Sequence, residues 1–123
     1  MNPVAKMNYL MAKDTYVSGE KQISSADQKA IETLADHATI NALDKDGDGK
    51  VSFDEILEWK YYTNKDNPDW AQEVREACKH LAKNPSLFKY ADGGGTGDKY
   101  DGGITTDEAL GVLNKLNPEN PYN

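Results

Sequence analysis

Residues 44–55 read Asp-Lys-Asp-Gly-Asp-Gly-Lys-Val-Ser-Phe-Asp-Glu, and few folds accommodate so much like charge in so short a run. Three of the carboxylates, Asp44, Asp46 and Asp48, stand at alternate positions, which in a coiled loop turns them toward one centre. Gly49 follows, where the backbone needs a positive φ to turn back over that centre, and Glu55 closes the run. Oxygen donors spaced in this way suit a hard cation that takes roughly six to eight oxygens in a loose shell, as calcium does. An ordinary acidic surface turn would have to bring Asp, Asp, Asp, Gly, Ser and Glu into these places by chance. The run predicts a calcium-binding loop.

Over about residues 30–63 the pattern resembles the EF-hand superfamily, and the resemblance implies a role for each position. Asp44, Asp46 and Asp48 would ligate from loop positions 1, 3 and 5. Lys50, at position 7, would offer only its carbonyl, leaving its charge free to point to solvent. Ser52, at position 9, would ligate directly or through a water, and Glu55, at position 12, would supply two oxygens.

Apolar periodicity predicts helices on both sides of this loop. Ser25-Ala-Asp-Gln28 has the form of a capping box and opens a run to Leu43 with Ile31, Leu34, Ala35, Ala38 and Ala42 on one face, which predicts one entering helix. Phe53, Ile56, Leu57 and Tyr61 predict an exiting helix that ends near Asn64, a residue tolerant of the left-handed conformation. Asn67-Pro68 predicts another helix start, with proline in the first turn where its missing N–H costs nothing. Trp70, Val74, Ala77, Cys78 and Leu81 form its stripe, and Asn84-Pro85 stops it and begins a short segment containing Leu87, Phe88 and Tyr90. The six glycines between Asp92 and Gly103 predict a loop, after which Thr106 is expected to cap a last helix to about Leu116. Residues 1–24 lack clear periodicity and are expected to be loosely ordered, although Tyr9, Leu10, Met11, Tyr16 and Val17 are able to dock on a core. Residues 25–116 form the predicted domain and 117–123 a tail.

Three segments share a pattern: Ile23-Ser-Ser-Ala-Asp27, Val51-Ser-Phe-Asp-Glu55 and Ile104-Thr-Thr-Asp-Glu108. In the EF-hand these are positions 8, 9 and 12, and the β-branched residue at position 8 joins paired loops through a two-stranded bridge. Counting back from Ile104 puts Asp101, Gly102, Thr105 and Glu108 in suitable places but Gly97 and Lys99 at positions 1 and 3, which removes two carboxylates and adds a cation. Asp98, Asp101, Thr105 and Glu108, with Asp92 in a rearranged loop, make a second and weaker candidate site. Counting back from Ile23 places Tyr16, Ser18 and Glu20 in the acidic positions and Lys21 where glycine belongs, so a helix cap preceded by a turn is the better reading there. The position-8 residues are 28 and then 53 residues apart, leaving room for an extra helix in the second interval. The predicted fold is all-α: an EF-hand pair with one consensus and one degenerate loop, a short two-stranded bridge between the loops, and an extra helix between the hands.

A second resemblance covers most of residues 40–116. The acidic loop, the Asn-Pro helix start, Leu81-Ala-Lys-Asn-Pro-Ser-Leu-Phe88 and the Asp-Gly-Gly-Ile-Thr loop occur in that order. This is similar to the EF-hand-type module of type III secretion translocators of plant-associated bacteria, the HrpF/NolX group, with Gly103 standing where that group carries lysine. The resemblance implies a bacterial, secreted or secretion-linked protein.

A net charge of −7 with no basic run disfavours nucleic acid and anionic membrane surfaces as partners. Cys78 is the sole cysteine, which excludes an internal disulfide. Lys6, Lys13 and Asp14 interrupt the first twenty residues, so neither a cleaved signal peptide nor a membrane span is expected. Location is left between the cytoplasm and export by a route without a cleaved signal. Enzymatic chemistry is not expected, because His37 and His80 are the only histidines and Cys78, four residues after Val74, reads as a core thiol. Two functions remain: a calcium-binding module that orders with the ion and presents a surface to a protein partner, and a calcium buffer without a partner. A single strong loop, and aromatic Trp59, Tyr61 and Tyr62 beyond the stripe of the exiting helix, favour the module.

Overall fold

A computed structural model describes residues 21–95 and 102–116, together with residues 3, 7, 10–12, 15 and 16. Among the described residues the chain is mostly helical: α1 (Ser25–Leu34), α2 (His37–Leu43), β1 (Val51–Ser52), α3 (Phe53–Trp59), α4 (Pro68–Lys83), α5 (Pro85–Asp92), β2 (Gly103–Ile104) and α6 (Thr106–Leu116). All-α is therefore the coarse outcome, qualified by one small antiparallel sheet in which Val51 pairs with Ile104 and Ser52 with Gly103. That register is the one expected from the two β-branched residues.

The predicted single entering helix is two. Asp36 interrupts it because its carboxylate accepts the Ala38 N–H at 2.9 Å and caps a new helix, while Ala35 closes the first one through its N–H to Ile31 and Glu32. The cap of α1 is Ser24, not Ser25: Ser24 Oγ accepts the Asp27 N–H and Asp27 accepts the Ser24 N–H, both at 3.1 Å. The last helix shows the same one-residue shift, since Thr105, not Thr106, exchanges this pair of bonds with Glu108. Helix α3 ends at Trp59, short of Asn64. Asn64 instead accepts the N–H groups of Asp66 and Asn67 in the turn leading to α4, and Tyr61, expected on the apolar stripe, is exposed. Asn67 caps α4 by accepting the Trp70 N–H, with Pro68 in the first turn as expected. The segment after Asn84-Pro85 is itself helical.

Helix α4 is the spine. It packs against α1 on one side and α3 on the other, while α6 lies on α1 and α5. Fully buried Phe53 and Phe88 meet edge to face at 5.1 Å, so the acidic loop's exit and the glycine-rich loop's approach share one core. Ile31, Leu34, Val74, Cys78, Leu81 and Leu113 complete it from three further helices. Each such side chain contributes about 1.5–3 kcal/mol by leaving water. Tyr16 docks on this body: its ring packs on Tyr90 at 5.6 Å and its hydroxyl donates to buried Asp27. No described helix is long and apolar enough to cross a membrane.

Candidate metal centre

The loop between α2 and β1 is folded round its first carboxylate. Asp44 accepts the N–H groups of Gly47 at 3.0 Å, Asp48 at 3.2 Å and Gly49 at 2.7 Å. These bonds need the chain to reverse within a few residues, and Gly49, at φ 84°, supplies the left-handed conformation that does so. Asp48 in turn accepts the Lys50 N–H at 3.1 Å. One ligand oxygen from each of Asp44, Asp46, Asp48 and Glu55 lies within 4.8 Å of the others, so this group could hold a metal ion.

The electrostatics of the cluster are those of crowded like charges. Desolvation would raise the Asp44 carboxyl, but the Gly49 N–H and the hydrogen-bonding side chains of Asp46 and Asp48 outweigh it and hold Asp44 below the ordinary range. Asp48 moves the other way: desolvation and the neighbouring Asp44 and Asp46 carboxylates push it up against the Lys50 N–H. A cation at the centre of the cluster would relieve the repulsion that raises Asp48.

Glu55 arrives from the opposite side, in the first turn of α3, and is buried. One carboxylate oxygen accepts the Ser52 N–H at 2.8 Å and the other the Lys45 N–H, so the side chain ties the helix start to the beginning of the loop. Ser52 Oγ accepts the Glu55 N–H at 3.3 Å, so its lone pairs serve a helix cap as well as facing the cleft. Lys50 and Ser52 line a cavity of about 430 Å³ with Asp46, Asp48 and Glu55, which brings all the expected ligands except Asp44 to its wall. Trp59 Nε1 donates to the Leu43 carbonyl at 2.9 Å, clamping the end of α2 to the end of α3 just outside the acidic loop.

Sequence reasoning missed Lys45 and the glycine wall. Lys45 Nζ pairs with Glu58 at 3.1 Å across the cavity mouth, and nothing in a loop pattern singles out that exposed pair. Gly102 and Gly103 of the second loop also line the cavity. In the second candidate site, Asp98 and Asp101 lie outside the described residues, as do Gly97 and Lys99. Thr105 and Glu108 are brought together, but as reciprocal helix-capping partners, and Asp92, fully buried, accepts the Gly102 N–H at 3.0 Å. No protein-family model, curated protein or solved structure matches this chain.

Proposed function

We propose that the chain is a calcium-binding EF-hand module that gains order with the ion and offers a surface to a protein partner. The observation that carries this is the convergence of Asp44, Asp46, Asp48 and Glu55 oxygens within 4.8 Å, on a loop whose backbone already coils round Asp44. In this reading the Lys50 carbonyl and Ser52 complete the ligand set, Glu55 contributes two oxygens, and the shell is too large for the near-octahedral demand of magnesium. The 97–108 loop serves as the partner that closes the pair through Val51 and Ile104, and binds an ion weakly or not at all.

Of the aromatic residues expected to offer a partner surface, Tyr61 is exposed while Trp59 and Tyr62 pack on the core and on each other, so the preference for a module with a partner rests on Tyr61. The resemblance to the type III secretion modules belongs to the same proposal and supports a bacterial, secretion-linked setting for it. Thermal unfolding of the full chain with calcium, with magnesium and with chelator tests the reading. The expected result is a higher melting temperature with calcium than with chelator and little response to magnesium. Equal melting temperatures in all three contradict it.

A further inference from the structure

Gly103 of β2 lies against the side chain of Lys50, the residue that precedes β1. A Cβ built on Gly103 would stand 3.0 Å from both Cγ and Cδ of Lys50 and 3.2 Å from its Cβ. Contacts this close are tighter than ordinary van der Waals packing, so any side chain at 103 would oblige the Lys50 stem, which lies across β2, to give by a few tenths of an ångström. Lys50 is not an incidental neighbour. Its N–H holds Asp48 at 3.1 Å, its carbonyl is the ligand proposed for loop position 7, and it directly precedes Val51 of the sheet.

Strand β2 has little freedom to step aside. Its entry is held by the Gly102 N–H on buried Asp92 at 3.0 Å, its two residues pair with β1, and Ile104 is fully buried. Crowding at position 103 would therefore be taken up by Lys50, the half-buried side of the contact, and through it by the acidic loop. We infer that Gly103 is a positioning residue for the 44–55 metal loop: by having no side chain it lets Lys50 lie over β2 and so fixes the Asp48 carboxylate and the Lys50 carbonyl for a divalent cation. The two loops divide one volume between them, the first filling it with Lys50 and the second ceding it at Gly103. This rests on the calcium reading above and adds a second-loop determinant to it.

The test is a double-mutant cycle on the full chain, with calcium affinity measured by titration and folding by far-ultraviolet circular dichroism. Gly103→Ala is expected to weaken calcium binding about tenfold in the chain carrying Lys50. With Lys50→Ala also present, the added effect of Gly103→Ala is expected to shrink to about twofold or less, because the crowded Cγ and Cδ are gone. A merely structural glycine would lower the melting temperature equally in both backgrounds and leave no coupling in affinity. An unchanged affinity in G103A, or an equal loss in the two backgrounds, overturns the inference while leaving calcium binding intact. Absence of calcium binding by the unsubstituted chain overturns the underlying reading, and the inference with it. Should G103A fail to fold, recovery of folding and calcium binding in K50A/G103A supports the inference, and continued unfolding contradicts it.

Discussion

At the scale of single residues, Glu55 is the pivot, because the groups that bond to it join the helix start to the candidate metal centre. Its carboxylate receives the N–H groups of Ser52 and Lys45 while standing within reach of Asp44, Asp46 and Asp48. Glu55→Gln keeps the size but removes a charge and one ligand oxygen. Loss of an outer-sphere partner already costs roughly 10- to 100-fold in metal affinity, so this variant is expected to lose at least about tenfold. An unchanged calcium affinity would place the ion elsewhere. Asp27 makes a separate prediction. Burial alone would raise its carboxyl, but hydrogen bonds from His80 at 2.6 Å, Ser24 N–H and Tyr16 overcome this and lower it. A lowered folded-state value means the stabilisation is fully present above the unfolded value near 3.8 and disappears as pH falls through the folded one. Asp27→Asn is therefore expected to be less stable at neutral pH and to converge on the unsubstituted chain only as pH falls below 3.8 and through the lowered folded-state value. Urea melts across that range check it, and a stability difference independent of pH contradicts it.

At the scale of elements, the threefold sequence repeat marks a helix start in every copy, as the sequence predicted for the first. Ser24 with Asp27, Ser52 with Glu55 and Thr105 with Glu108 each exchange backbone N–H bonds at the start of a helix. What repeats is a helix start. Only the second and third copies also join in a sheet, through Val51 and Ile104. The first copy has Ile23 partly exposed and unpaired by any strand among the described residues. Helix existence was legible because apolar spacing, Asn-Pro and glycine act locally. The break at Ala35–Asp36 was not, because Asp36 is compatible with a helix surface until its carboxylate finds the Ala38 N–H. The end of α3 was equally hidden, since it depends on Tyr62 turning back to pack edge to face between Trp59 and Trp70. Two substitutions probe this scale. Ser24→Ala is expected to cost about 1 kcal/mol through loss of the cap. Trp59→Phe removes the bond to Leu43 and should likewise cost about 1 kcal/mol, with looser coupling of α2 to α3. Denaturant midpoints measure both, and values indistinguishable from the unsubstituted chain would mean the caps and clamp are solvated in solution.

At the scale of the molecule, one core serves both loops, so an ion bound in one should be felt throughout. Phe53 leads out of the acidic loop and Phe88 lies before the glycine-rich one, and they are in contact. Coupling of this kind converts binding energy into stability of the whole fold. With a dissociation constant of about 10 μM, calcium at about 1 mM would stabilise the chain by about 2.7 kcal/mol, a large share of a small domain's margin. A single strong loop with a degenerate partner is expected to bind at roughly 10⁻⁵–10⁻⁴ M, a range filled outside cells and largely empty in a resting cytoplasm. The acidic loop and most helices were visible in the sequence because each depends on neighbours a few positions away, and the distant pairing of Val51 with Ile104 was visible through the repeated pattern around each. The docking of Tyr16 on Asp27, the His80 bond to the same carboxylate, and the fit of Lys50 over Gly103 join residues far apart in the chain, and no local pattern encodes them.

The central claim, one calcium held by the 44–55 loop, is tested most directly by calorimetric titration of the full chain with calcium, beside its Glu55→Gln variant. The account predicts a single binding event at one ion per chain, with a dissociation constant of roughly 10⁻⁵–10⁻⁴ M, weakened at least about tenfold in the variant. No binding at millimolar calcium, or the same isotherm from both proteins, would contradict it.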